Sequence, residues 1–255
     1  MFSKSKVGAI RELPLEETFH IHNFDRLDST NTTLWQLIEN GALSGTVVTA
    51  KEQTAGKGRR GRQWQSPSGG LYLSVFLAPN CASTDLGQLT LCSAWGIASA
   101  LRDRGIPVGI KWPNDLVLRE RKLGGILIET RGQKEIVDRA VIGIGINWRN
   151  PTPEVGINLE ELTNAIATLE DLRSTVLHGL KTGCDRWQQD GIDPIVRDCD
   201  TLLVNRGQTV IVDGCGGVIV GVDKRGHLRV QFPDLQPPQP EIALPPGAIR
   251  LGYWV

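Results

Sequence analysis

The amino-acid sequence predicts an α+β protein: a mixed or antiparallel sheet with helices inserted, followed by a small all-β unit of the barrel kind. Three observations carry this. Strand-like and helical stretches follow one another without the regular strand–helix alternation that builds a parallel sheet. Leu71–Ala78 places Leu71, Leu73, Val75 and Leu77 on one side, as a strand against a core does. After Asn205 the composition shifts to short Val/Ile runs punctuated by Gly207, Gly214, Gly216, Gly217, Gly221 and Gly226, which suits short strands and tight turns. The division that follows is residues 1–205 and 206–255.

Taken in order, residues 1–24 are mixed, show no clear period and are too few for a separate domain. Asp28-Ser29-Thr30-Asn31 offers several N-caps ahead of Leu34, Trp35, Leu37 and Ile38, so a helix starts at about Thr30 and stops at Asn40-Gly41. Thr46–Ala50 is a short β-branched strand. Asp85 with Gln88 resembles a capping pair for a helix carrying Leu86, Leu89, Ile97, Ala98 and Leu101 and ending at Gly105. Val108–Lys111 is a strand broken by the turn Trp112-Pro113-Asn114-Asp115. Asp115–Leu118 and Leu123–Glu129 flank Arg119–Lys122 as a hairpin, and Val141–Ile146 is a further strand. Leu172, Val176, Leu180 and Trp187 mark a helix from Leu169 to about Gln189, ending near Gly191. In the second unit Thr209–Val212 and Val218–Val222 are strands, and Pro233–Pro240 is a long loop.

The totals narrow the function classes. A chain of 255 residues buries a substantial core. Lys+Arg and Asp+Glu are both 28, so a cluster of cations is a local feature of a neutral protein, which argues against general nucleic-acid binding. The five cysteines have no Cys-x-x-Cys spacing and are odd in number, as free thiols in a reducing compartment are. The N-terminal residues lack an apolar leader core and no run approaches membrane-spanning length, so a cytoplasmic location is expected.

The stretch the rest is arranged around is Gln53 to Trp64, in which Gly56, Gly58 and Gly61 alternate with Lys57, Arg59, Arg60 and Arg62. Glycine permits close backbone approach to a ligand, and free N–H groups with cations suit an anion. No apolar residue lies between Gly56 and Arg62, so the stretch is expected to be untied to a core and mobile until a ligand orders it. A solvated basic loop is the bland alternative. The spacing Gly56-x-Gly58-x-x-Gly61 fits a dinucleotide fingerprint, but a second loop and a strand follow where that motif needs a helix. Nor is there the Lys-Ser/Thr ending of a phosphate-binding P-loop.

Three further polar positions sit at strand ends or turns: Lys111 with Asp115, Lys122 before Gly124-Gly125, and Asn147 beside Trp148 after Gly143 and Gly145. Each alone has an ordinary reading, as turn-former, solvated hairpin charge or strand terminator. Together with Ser29-Thr30-Asn31 and the Gly/Arg loop, they resemble the biotin protein ligase family, in that family's order, over about Asp28 to Trp148. The tail from Arg206, with Gly247-Ala248-Ile249-Arg250, is similar to the family's small SH3-like domain.

The resemblance implies a class II synthetase-like catalytic domain and a two-step reaction: biotin and MgATP give biotinyl-5′-AMP, and a lysine of a carrier domain takes the biotin. It implies catalytic roles for Lys122, Arg59 and Asp115. Biotin contacts are implied for Ser29, Thr30, Asn31, Gln53, Gly56, Lys57, Gly58, Arg59, Lys122 and Gly125. ATP contacts are implied for Arg59, Arg60, Arg62, Trp64, Lys111, Lys122 and Asn147. The Mg²⁺ ligands stay unassigned. The implied partner is the biotin carboxyl carrier protein of acetyl-CoA carboxylase, with no DNA and no membrane, and a homodimer is left open. With fewer than 30 residues ahead of Ser29, the winged-helix DNA-binding domain of bifunctional members is not expected. Lys57 stands where the family pattern has arginine, keeping the charge and losing the planar fork. The rivals are a lipoate or octanoyl ligase of the same fold and a nucleic-acid-binding protein that uses Lys57–Arg62 as a phosphate clamp.

Overall fold

The structure, a computed structural model, describes residues 19–160, 165–233 and 240–253. The first unit is built on strands β1 (His20–Leu27), β2 (Thr46–Gln53), β3 (Leu71–Leu77), β4 (Cys81–Ala82), β5 (Gly109–Lys111), β6 (Asp115–Leu118), β7 (Arg121–Gln133) and β8 (Ile136–Ile146). Seven of them lie side by side in the order β1-β2-β3-β8-β7-β6-β5, and β4 pairs with β8. β1 runs parallel to β2 and the other neighbours are antiparallel. The expected mixed sheet is there.

Helices cover the two faces unequally. On one face lie α2 (Leu86–Asp103), α3 (Leu169–Asp190) and α4 (Ile192–Leu202), packed over the main core of Leu71, Leu73, Val75, Ile97, Leu101, Ile142, Ile144 and Ile146. The seam between α2 and α3 is made of glycines. A Cβ on Gly96 would lie 2.1 Å from the Gly179 carbonyl oxygen, and one on Gly183 2.1 Å from that of Cys92, so the two backbones touch. Among the described residues the other face carries only the helix α1 (Thr30–Glu39), with Leu34, Trp35 and Ile38 against Val48, Phe76 and Val141. Each such side chain stabilises the fold by roughly 1.5–3 kcal/mol on burial. β3 is therefore buried on both sides, and its alternation separates two cores, not inside from outside.

The second unit is an antiparallel sheet in the order β12-β11-β10-β9, made of β9 (Thr209–Val212), β10 (Cys215–Val222), β11 (Leu228–Gln231) and β12 (Glu241–Leu244). It is fixed to the first by Trp112, whose indole N–H donates to the Gly226 carbonyl at 2.9 Å, and by Asp200, which accepts from the Val222 amide at 2.9 Å.

Several sequence expectations need correction. The unpatterned N-terminal stretch contains β1, an edge strand whose residues are mostly exposed on both faces, so no alternation marks it. Gly191, at φ 75°, ends α3 as expected, but α4 starts immediately after it and buries Ile195 and Cys199 four residues apart. The turn between β6 and β7 is only Arg119-Glu120, both at positive φ, and Lys122 lies inside the strand. Asp85 does not cap α2 through its side chain; it accepts instead from the Gln88 side chain at 2.9 Å. Of the proline-rich patch only Pro233 and Pro240 fall within the described residues. Among those residues no helix is long and apolar enough to cross a membrane.

Candidate active site

Backbone pairing lays the site out as a row. Lys111 of β5 stands opposite Asp115 of β6, Asp115 opposite Gly125 of β7, and Gly125 opposite Gly145 of β8. Directly paired residues project to the same face of a sheet. An ammonium, a carboxylate and two bare backbone positions thus lie side by side on the face that α1 leaves open. Lys122 joins them through a β-bulge. The β6–β7 register slips between Leu116 and Val117, and this puts Lys122 on the same side as Gly125. Lys122 Nζ is then 2.7 Å from Asp115 Oδ1, and a Cβ on Gly125 would lie 3.6 Å from that ammonium.

Glycine makes the floor. A Cβ on Gly143 would sit 2.3 Å from Asn31 Oδ1, and one on Gly145 2.5 Å from the indole nitrogen of Trp64. That Trp64 N–H is buried without a hydrogen-bond partner among the described residues.

The Gly/Arg loop closes over this floor, and it is tied down, contrary to expectation. Gly58 N–H donates to the Arg62 carbonyl at 2.7 Å and Trp64 N–H to that of Gly56 at 2.8 Å. Arg59 Nη1 donates to Asn114 Oδ1 at 3.1 Å, and Arg60 Nη2 to the Gly247 carbonyl of the second unit at 2.8 Å. Lys57 Nζ lies 3.6 Å from Glu129. The ties are polar, which is why apolar content did not reveal them. Gly56 has a steric reason: its Cβ would lie 2.4 Å from the Trp64 carbonyl oxygen.

The start of α1 is capped in an unexpected way. Ser29 makes no side-chain cap bond; Gln53 Oε1, reaching from the end of β2, accepts from Thr30 N–H at 2.8 Å and from its hydroxyl at 3.2 Å. Gln53 Nε2 donates to Ser66 Oγ at 2.7 Å. Asn31 is committed as well: its Oδ1 is 2.6 Å from Ser74 Oγ and its Nδ2 donates to Glu129 at 3.1 Å. Ser29, Thr30, Asn31 and Gln53 all line the cleft, as do Lys57, Gly58, Arg59, Arg60, Arg62, Trp64, Lys111, Asp115, Lys122, Gly125 and Asn147. Gly56 lies in the adjoining hollow behind the loop. Asn147 is 5 % exposed, and its amide donates to the carbonyls of Lys122 and Ile157 and accepts from Asn150. Those bonds hold the 147–157 wall in place.

The cleft encloses about 750 Å³, within the usual range for a small-molecule site. Among the described residues its lining includes Lys57, Arg59, Arg60, Arg62, Lys111, Lys122 and Arg250 against one carboxylate, Asp115, on a chain whose cations and anions balance. Such a cavity favours a polyanion. Burial pushes the Arg59 guanidinium and the Lys111 ammonium below their ordinary values, which Asp115 opposes in both cases. A guanidinium remains charged nonetheless.

Four site residues escaped sequence reasoning. Ser74 was visible as a polar residue inside an apolar strand, and Glu129 as a carboxylate ending one. Asn114, which donates to the Ile126 carbonyl at 2.6 Å, passed for a turn-former. Tyr253, whose hydroxyl donates to Asp115 Oδ2 at 2.5 Å, gave no signal.

Comparison with known proteins places this arrangement. The Biotin/lipoate A/B protein ligase family matches residues 23–147. The bifunctional ligase/repressor BirA of Bacillus subtilis is 35% identical over 150 residues, 58% of this chain and 46% of that protein; the chain thus spans about half the length of that relative. The biotin–[acetyl-CoA-carboxylase] ligase of Paracoccus denitrificans is 31% identical over 228 residues, 82% of this chain and 92% of that one. Among solved structures, biotin protein ligase from Aquifex aeolicus in complex with biotin and ATP superposes with a TM-score of 0.73 at 27% identity, covering 87% of this chain and 94% of that one. A bulge-aimed lysine, a glycine floor and a tied Gly/Arg loop on this fold, with relatives of this coverage, identify the chain as a member of the biotin/lipoate A/B protein ligase family, within its biotin protein ligases.

Proposed function

We propose that the chain activates biotin with ATP to biotinyl-5′-AMP and transfers the biotin to one lysine of a carrier domain, the biotin carboxyl carrier protein of acetyl-CoA carboxylase. The observation that carries this reading is the row Lys111, Asp115, Gly125, Gly145 with Lys122 beside it, roofed by the Gly/Arg loop. In the first step a carboxylate oxygen of biotin attacks the α-phosphorus, and pyrophosphate leaves. Two anions must meet, so fixed cations that offset their repulsion and the charge of the in-line transition state contribute most. Lys122 and Lys111 sit on rigid strands for that task, and Arg59 and Arg62 come from the roof. The bare backbone at Gly125 leaves the biotin bicycle room beside Ser29, Thr30 and Gln53, while Gly143 and Gly145 let Asn31 and Trp64 pack onto the sheet as its walls. Trp64 and the Asn147 wall suit the adenosine end.

In the second step the amine nitrogen attacks the acyl carbon, AMP leaves with the electron pair of the broken C–O bond, and Asp115 takes or orients the amine proton. Mg²⁺ belongs with the nucleotide in this reading. Asp115, the one carboxylate among the described lining residues, is already engaged by Lys122 and Tyr253, so substrate phosphates and water would supply most of the ligands of Mg²⁺. Residues 1–205 would form the catalytic domain and 206–255 the SH3-like one, in a cytoplasmic enzyme. Mass spectrometry of the purified protein incubated with biotin and MgATP tests the function. Retained biotinyl-AMP is expected, outcompeting lipoate; lipoyl-AMP in its place, or no adenylate, would refute the reading.

A further inference from the structure

The segment Gly252–Tyr253, at the end of the described chain, lies in the cleft. The Tyr253 ring centroid is 3.5 Å from Lys111 Nζ, and that ammonium also donates to the Gly252 carbonyl. The Tyr253 hydroxyl donates to Asp115 Oδ2 at 2.5 Å, while Lys122 Nζ holds Asp115 Oδ1 at 2.7 Å. Both oxygens of Asp115, the one carboxylate among the described residues that line the cleft, are therefore occupied, one of them by a residue 138 positions further along the chain.

The transfer step needs Oδ2 for something else. When the amine nitrogen bonds to the acyl carbon and AMP departs with the C–O electron pair, one proton must leave the nitrogen. Asp115 can receive or orient that proton through Oδ2, after which it passes to solvent. A phenol O–H and an amine N–H donate to a carboxylate in the same way, so Tyr253 stands in the amine's seat. We propose that Tyr253 is a specificity-determining residue: a placeholder on Asp115 that the carrier lysine displaces and that small amines and water do not. This rests on the ligase reading. The physical reason is the source of the displacement energy. A small amine brings one hydrogen bond to exchange for another and gains nothing. A lysine presented by a folded carrier brings the binding energy of its whole domain, which can be spent on moving the tail. Burial and the charge of Asp115 both hold the phenol protonated, so Tyr253 stays a donor and does not compete as a base.

The test uses the full chain loaded with preformed biotinyl-AMP and mixed with either a carrier domain or hydroxylamine, in the wild type, Tyr253→Phe and Tyr253→Ala. The readout is the ratio of hydroxylamine to carrier acylation rates. Tyr253→Phe keeps the ring against Lys111 and removes only the bond to Asp115. A hydrogen bond to a charged group corresponds to about a tenfold change at its lower limit, so the ratio should rise about tenfold in Tyr253→Phe and further in Tyr253→Ala. A ratio unchanged in both variants overturns the inference. So does a parallel fall of both rates, which would make Tyr253 a positioning residue for Asp115. A wild-type protein that labels no carrier from the supplied adenylate removes the ligase reading and this inference together; one that labels the carrier, with an unchanged ratio in the variants, removes this inference alone.

Discussion

Replacing Gly145 with alanine adds one methyl group to the floor of the cleft, and the coordinates say where the cost falls. The new Cβ would lie 2.5 Å from Trp64 Nε1, 2.6 Å from Cε2 and 3.0 Å from Cζ2. Comfortable contacts of this kind are about 3.5–4.0 Å, so the overlap is about 1 Å. β8 cannot yield, because it is paired on both sides and its neighbours Ile144 and Ile146 are buried in the main core. Trp64 can, since it sits on the half-exposed roof loop. Overpacking costs about 1–3 kcal/mol, which in binding terms is roughly five- to 150-fold. The expected result for Gly145→Ala is at least fivefold faster dissociation of biotinyl-AMP, with a melting temperature lowered by less than about 4 °C. Dissociation is measured by chasing labelled adenylate, and stability by calorimetry. An unchanged off-rate in a normally stable protein would show that Trp64 does not cover the ligand. A large loss of stability with an unchanged off-rate would show that the strand, not the roof, absorbed the methyl.

Lys122→Ala removes a cation fixed 2.7 Å from Asp115, and pyrophosphate release should fall about 10²–10³-fold, the scale for deleting one preorganised transition-state donor, in a protein that still folds; release at the wild-type rate would refute the assignment. Amide exchange should be slow at Gly58 and Trp64, which are bonded across the loop, and fast at Arg60 and Gly61 until biotinyl-AMP is bound; equal protection at all four without ligand would show a wholly preformed roof.

What the sequence made legible and what it hid divide along one physical line. Elements with a buried face announced themselves: α1, α2, α3, β3 and the β6–β7 hairpin lie close to where apolar spacing puts them. β1 hid because an edge strand exposed on both faces has no apolar period, and α4 because Gly191 reads as a stop whether or not a helix restarts. In the site, glycines and cations close together in the chain were conspicuous, since few folds need such a run. The partners that give them a geometry were not. Glu129 gathers Asn31 and Trp35 from α1 and Lys57 from the Gly/Arg loop, and Gln53 caps a helix 23 residues before it. The bulge that aims Lys122 depends on a register between two strands, which no local pattern encodes.

The unequal cover of the sheet has a mechanical consequence. Behind it, backbones in direct touch at Gly96, Gly179 and Gly183 leave no side-chain layer to deform, so α2 and α3 act as a stiff back plate. In front, among the described residues, there is one ten-residue helix and a roof held by single polar bonds. Any displacement that a ligand forces on the cleft is expected in the roof, while the strands that carry Lys111, Asp115 and Lys122 keep their spacing. The distances between those three side chains are set by the back of the molecule, and access to them by the front.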